Sequence, residues 1–518
     1  MILLNAAESR ELDRISQEKY GIASYTLMTR AGEAVANAIV ERFPESTTDV
    51  LVVAGKGNNG GDGLVGALRL KRDGFGVRAV LLGRAQDLKG DAARAHADFR
   101  SVGGEVIEAG DAAKLDAAAS SRRPSAVIDA IFGTGLNAEV KDAPRRAIEI
   151  IDSFGVPIVA VDIASGVNAD TGAIMGAAVR AALTVTFGFA KFGHVSYPGA
   201  ERCGELRIVD IGFAKDAIDE IAPGGRFLER EDVRHLIRPR PENAHKGMYG
   251  HPLVIAGSRG KSGASLLASR AALRSGAGLV TAAIPETIAS IVAAGQAELM
   301  TEPVADRDGH FDGAHAPDAL KMILAGKSAL IAGPGIGVSA DIKRLVEWLL
   351  VDACEPARPL VLDADGLNVL AELGCETAKR ARGPVVLTPH PGEAARLLGV
   401  STSVINDDRI SAARRLAERT GASVLIKGSR SVIASPTGDI YINSTGNPGM
   451  ATPGMGDALS GIVGAMLGQR LAPLDALALG VFLHGFAADR VAARIGRVGY
   501  IAGDLIDELP SALEALSR

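Results

Sequence analysis

Two aspartates carry the most specific chemical signals in this chain, and each stands where an apolar run gives way to glycine. Asp162 ends the run PIVAVDI, which begins at residue 157 and continues as DIASG; Asp457 closes NPGMATPGMGD, which leads from Asn447 into a helical pattern. At the end of a buried strand, desolvation would push the Asp162 carboxyl toward neutrality and suit it to proton transfer. Gly454 and Gly456 leave bare amide groups at a helix start, an anion hole. Asp457 in that first turn could reach a hydroxyl next to a bound phosphate. Folding alone could also use both residues, Asp162 as a turn cap and Asp457 as a helix N-terminal charge worth about 0.3–1 kcal/mol.

Other segments repeat the pattern. GKGNNGGDG starts at Gly55 directly after DVLVVAG and offers unencumbered N–H groups to a phosphate. It matches neither GxGxxG nor the P-loop, and a tight strand-to-helix turn would also use such glycines. DAIFGTG at 129 and DIASG at 162 are further strand ends. In an open α/β sheet, these three segments can converge on one crevice. Asn59, Asp129 and Ser165 offer hard oxygen atoms there, which suit a monovalent or hard cation better than a transition metal. Lys191, in FGFAKFGH, could fix Asp162 or a phosphate. Later come GSRGKSGAS (257), GPGIG (333), DADGLN (363), TPHPGE (388) and KGSRS (427), each after a predicted strand. His390, held between prolines, could bond a substrate, and Lys427 and Ser429 could contact phosphates. GSRGKS lacks P-loop spacing.

The elements that must position these groups are legible as alternation. Short Val/Ile/Leu-rich runs, each followed by an amphipathic helical pattern, predict parallel sheets covered by helices on both faces. Strands are expected from residues 49, 77, 126, 157 and 183, with helices over 7–20 and 24–42 before them. Around 222 charge, Pro and Gly rise and periodicity fades, which predicts a boundary dividing 1–222 from 223–518. The pattern restarts with strands from 252, 279, 328, 359, 384 and 423 and closes with helices over 456–468 and 474–494. At 518 residues, 47% apolar and 23% charged, the chain fits at least two globular domains. A net charge of −5 indicates neither a nucleic-acid nor a membrane partner. Three cysteines without CxxC spacing argue against disulfides or zinc and fit a reducing cytoplasm. The opening residues turn polar too early for a signal peptide, and no run reaches the roughly 18 apolar residues of a membrane span.

Taken in order, these motifs resemble the bifunctional NAD(P)H-hydrate repair enzymes over nearly the whole chain. The first half resembles the NAD(P)HX epimerase domain, a Rossmann-like three-layer sandwich, through GKGNNGGDG, DAIFGTG, DIASG and FGFAKFG. The second resembles the ADP/ATP-dependent NAD(P)HX dehydratase, a ribokinase-like α/β domain, through GSRGKSGAS, GPGIG, LDADGLN, TPHPGE, IKGS and PGMATPGMGD. The resemblance implies interconversion of the R and S hydrates of NADH or NADPH, then dehydration of the S form at the expense of ADP, with ATP the other possible donor. Asn58, Asn59, Gly60, Gly61 and Asp62, with Gly133, Thr134, Gly135 and Leu136, would hold the hydrated cofactor in the first half, and Asp162 would act beside its ring. Asn59, Asp129 and Ser165 would be potassium ligands. In the second half Asp457 would be the base, with Gly454 and Gly456 stabilising charge on the transferred group. Lys427, Gly428, Ser429, Arg430 and Ser431 would hold the nucleotide, and Ala264, Gly337 and His390 the hydrated cofactor. Mg2+ and a homo-oligomer are further expectations. One departure is DIASG, where the family's usual pattern has proline in place of Ala164. The rival readings are a ribokinase-like small-metabolite kinase with a non-catalytic nucleotide-binding first domain, and a first domain that recruits a partner.

Overall fold

The computed structural model describes residues 1–518, the side chains of 119–121 excepted, and it resolves into two compact units, Met1–Gly225 and Arg226–Arg518. In the first, seven parallel strands lie in the order Glu105–Glu108, Val77–Leu81, Val50–Ala54, Ala126–Ala130, Ile158–Val161, Leu183–Phe187 and Glu205–Val209. Numbered along the chain that is 3-2-1-4-5-6-7, so the order reverses between Val50–Ala54 and Ala126–Ala130, where an open sheet leaves its ligand crevice. The Val50–Ala54 strand shows why both faces are covered. Val50, Val52 and Ala54 pack with Val35, Leu64 and Phe99 on one side, whereas Leu51 and Val53 pack with Leu115, Ile148 and Ile151 on the other, as the two-residue period of a strand requires.

The reversal is closed tightly. A methyl group on Gly55 would sit 2.1 Å from the Ile131 carbonyl oxygen, and one on Gly60 would sit 2.0 Å from that of Gly55. The helix Asn58–Arg72 therefore starts directly over the strand ends. A short strand at Ile2–Leu4 pairs in parallel with Ala190–Lys191 and sets Leu4 opposite Lys191.

The second unit contains a nine-strand run in the order Met300–Val304, Thr281–Pro285, Pro252–Ile255, Ala329–Ala332, Leu360–Leu362, Val385–Leu387, Ser423–Ile426, Val432–Ala434 and Ile440–Ile442. The first seven are parallel, and the last two turn back antiparallel. Its order also reverses, between Pro252–Ile255 and Ala329–Ala332. The helices Met455–Gly468, Pro473–Ile495 and Ala502–Ser517 share one large apolar cluster with these strands. Pro473–Ile495 is long and apolar enough to cross a membrane by length and composition, against the sequence expectation of no such run, and 72% of its most apolar window is buried within the protein. Continuous hydrophobicity here reflects a helix enclosed on all sides.

Candidate active sites

In the first unit a cavity of about 830 Å³ opens at the reversal, lined among others by Asn58, Asn59, Asp62, the Gly133–Leu136 loop, Asp162 and Lys191. Asp162 follows the last strand residue, Val161, and takes a positive φ of 65°, a conformation a non-glycine residue adopts only when its surroundings enforce it. Those surroundings are specific. Lys191 Nζ lies 2.7 Å from Asp162 Oδ1, Thr186 donates to the same oxygen at 3.1 Å, and the Thr134 amide donates to Oδ2 at 3.1 Å. His194 Nδ1 accepts the Lys191 amide at 2.8 Å, so Nε2 carries the proton and donates to the Asp162 carbonyl at 2.8 Å. Burial and the neighbouring ammonium pull the His194 pKa down to about 4 and keep this ring neutral.

The sequence expectation that Asp162 drifts toward neutrality is overturned. Burial does push its pKa up, but the Lys191 ammonium, bonded to it, and the Thr134 amide hold it below the ordinary carboxylate range. The carboxyl pushed toward its neutral form is Asp62, whose pKa burial raises well above normal, with Asp162 and Asp13 adding repulsion, and it lines the same cavity. Gly60 and Gly61 do not line it; a methyl on Gly61 would meet Met28 at 2.6 Å, so both are sites of close packing.

Asp129 and Ser165 come together beneath the cavity. Ser165 Oγ donates to Asp129 Oδ1 at 2.6 Å and its amide to Oδ2 at 2.8 Å, while burial raises the Asp129 pKa to about 6. Asn59 stands beside Asp162: a methyl on Gly133 would be 3.0 Å from Asn59 Oδ1 and 3.1 Å from Asp162 Oδ2. The Asn59 Nδ2 atom is buried with no partner.

The second unit builds its centre on the helix Met455–Gly468, capped by Gly454 at φ 86°. A side chain there would be strained and would meet Leu267 Cδ1 at 2.5 Å. Asp457, in the first turn, has its pKa raised to about 7 by burial and by Asp363 and Asp365, against the pull of Lys427. Asp363 follows the strand Leu360–Leu362 and is 1% exposed. It accepts from Lys427 Nζ at 2.7 Å and from Ser460 Oγ at 2.6 Å. Lys427, expected at nucleotide phosphates, is thus committed to a buried carboxylate, with Glu393 4.0 Å away.

The remaining expected residues divide. Gly337, at φ 85°, donates its amide to Asp365 at 2.9 Å, and Asp365 also pairs with Lys261. Ala264 lies against Gly335, 3.0 Å from a methyl placed there. His390 caps the helix Pro391–Leu398, its Nδ1 accepting the amides of Gly392 and Glu393. In the KGSRS loop Ser431 Oγ bonds back to Gly428 at 3.0 Å. Arg430, at φ 56°, donates to the Ser444 carbonyl at 2.7 Å and stands 4.8 Å from the Phe227 ring.

With this geometry in place, the likeness to known proteins can be stated. The NAD(P)H-hydrate dehydratase family pattern matches residues 252–511, and that of the YjeF-related protein N-terminus matches residues 24–193. The bifunctional NAD(P)H-hydrate repair enzyme Nnr of Moorella thermoacetica is 41% identical over 100% of this chain and 98% of its own. The chain belongs to the bifunctional NAD(P)H-hydrate repair enzymes. The Escherichia coli member is 36% identical over 97% of this chain and 92% of its own. Among solved structures, a ribokinase-like superfamily protein from Enterococcus faecalis is 24% identical with a TM-score of 0.50. The match covers 57% of this chain and 97% of that protein and supports the ribokinase-like fold of the second unit.

Sequence reasoning missed roles for Asp363, Ser460 and His194, and gave none to Asp13, which lines the first cavity. One signal was available for Asp363. Like Asp162, it is the first residue beyond a buried strand, inside a motif already noted.

Proposed function

We propose that the first unit interconverts the R and S forms of nicotinamide cofactor hydrated at C6, and that the second dehydrates the S form with ADP. The observation that carries the second step is Asp457: a carboxyl tuned to about 7 beside glycines that leave helix-start amides bare. A base so tuned can take the proton of the ring hydroxyl as its oxygen attacks the terminal phosphorus of ADP and AMP leaves. Phosphate, a far better leaving group than hydroxide, then departs from C6 while the adjacent ring carbon gives up a proton to water, and the double bond forms between them. Gly454 and Gly456 amides stabilise charge on the transferred group.

In the first unit the ionised Asp162 would move a proton at the ring, with Lys191 holding its charge and neutral Asp62 donating to a cofactor oxygen. Asn59, Asp129 and Ser165 fit a potassium ion: their donors are hard oxygens, and exchanging the amide atoms of Asn59 would replace its orphaned nitrogen with an oxygen that a cation satisfies. A Mg2+ ion on the nucleotide would neutralise phosphate charge. The carboxylates of Asp363, Glu393 and Asp457 around Lys427 make the site hospitable to it, although among the described residues no three such groups are arranged to hold an ion alone.

The deciding experiment incubates the protein with mixed epimers of hydrated NADH plus ADP and follows recovery of the reduced-nicotinamide absorbance. Full recovery is expected. Recovery stopping at the S fraction would remove the epimerase, and no recovery would remove the dehydratase. The kinase rival requires a phosphorylated product that accumulates.

A further inference from the structure

Arg409 is the first residue of the helix Arg409–Thr420, and its side chain is partly buried. Among the described residues, no carboxylate, carbonyl or hydroxyl accepts from its guanidinium. The adjacent Asp408 caps the helix, accepting the Ser411 amide at 2.9 Å, and makes no bond to Arg409. Burial lowers the Arg409 pKa and no anion opposes that effect. A partly buried guanidinium without a counter-anion is unfavourable, so its position needs a reason.

The position is against the KGSRS loop. A methyl on Gly428 would stand 2.5 Å from Arg409 Nη1, and Gly428 has φ 151°. Glycine there serves two ends: it permits the loop conformation and leaves room for a guanidinium to lie on the loop backbone. The loop's own arginine cannot take the same role, since Arg430 points to Ser444 and Phe227. Lys427 is held by Asp363. Arg409 is thus the cation beside this loop that no protein group neutralises, and its planar fork matches two oxygens of a phosphate.

We propose that Arg409 is a phosphate receptor for the bound nucleoside diphosphate, completing the loop Lys427–Ser431 from a helix outside it. The proposal rests on the reading of that loop as the nucleotide site. Its test uses the full chain carrying Arg409→Gln, Arg409→Lys or Arg409→Ala, beside Ser431→Ala as a probe of the loop itself. The expected result is a KM for ADP about 10- to 100-fold higher in Arg409→Gln, the scale of a lost charge-assisted bond, with an unchanged KM for hydrated NADH. Competition with ADP by adenosine should be unaffected while competition by AMP weakens, Arg409→Lys should recover part of the loss, and added guanidinium ion should restore Arg409→Ala. An unchanged KM for ADP, with Ser431→Ala impaired, overturns this assignment and leaves the loop reading standing. If Ser431→Ala is unaffected as well, the loop reading falls. A fall in melting temperature with equal weakening of adenosine and ADP would make Arg409 a folding residue and also overturn the proposal, as would a loss confined to competition by inorganic phosphate.

Discussion

The two units place an aspartate in the same kind of setting and give it opposite electrostatics. Asp162 is buried and Asp457 partly buried; both feel a lysine, and both lie at a turn with positive φ, at Asp162 itself and at Gly454. In the first unit Lys191 bonds the reactive carboxylate itself, and Asp162 stays ionised despite burial. In the second, Lys427 is drawn away by Asp363, and Asp457 is left with burial and two carboxylates pushing its pKa to about 7. The difference teaches that the lysine's choice of partner, more than burial, sets what each aspartate can do.

The largest effects should come from removing the carboxylates. Asp457→Asn should cost about 10²- to 10⁴-fold in dehydratase kcat and leave epimer interconversion intact, whereas Asp162→Asn should do the reverse. Cross-loss in either, measured by separate assays, would break the comparison. Next is Lys191→Met, which leaves Asp162 buried without its counter-charge and should destabilise the first unit by about 3–5 kcal/mol in denaturant unfolding; a loss below about 1 kcal/mol would mean that the other donors suffice.

A pH series sharpens the contrast further. If Asp457 acts as the proposed base, dehydratase kcat/KM should fall about tenfold per unit as pH drops below about 7, while the epimerase shows no Asp162 limb in that range. Asp363→Asn removes a charge that raises the Asp457 pKa and frees one that lowers it, so the limb should move to lower pH; a move upward would refute the assignment of the pair. The smallest effect is expected for Ala164→Pro, which restores the family's usual residue but removes an amide that bonds the Cys203 thiol, so that its entropic gain of about 0.4–1 kcal/mol is offset and the melting temperature stays nearly unchanged.

The parallel strands were legible because each is a short fully buried run, as Val50–Ala54 shows. The edges were not. Glu105–Glu108 and Glu205–Val209 begin with exposed glutamates and are partly solvated on both faces, so their hydrophobic signal is diluted, and the three-residue strands Val432–Ala434 and Ile440–Ile442 are too short to show a period. In the sites, Asp162 and Asp457 were readable from their place after strand and glycine. The pairing of Lys427 with Asp363, 64 residues apart, and the approach of Arg409 to Gly428 left no local trace.

What this sequence determined by itself is which residues end strands and start helices, because apolar period and glycine act over a few neighbouring positions. It thereby set two glycine-rich strand-to-helix turns and an aspartate at each. Only the tertiary structure decided the charge those aspartates carry, because that depends on desolvation and on lysines delivered by distant strands, quantities that no local pattern encodes.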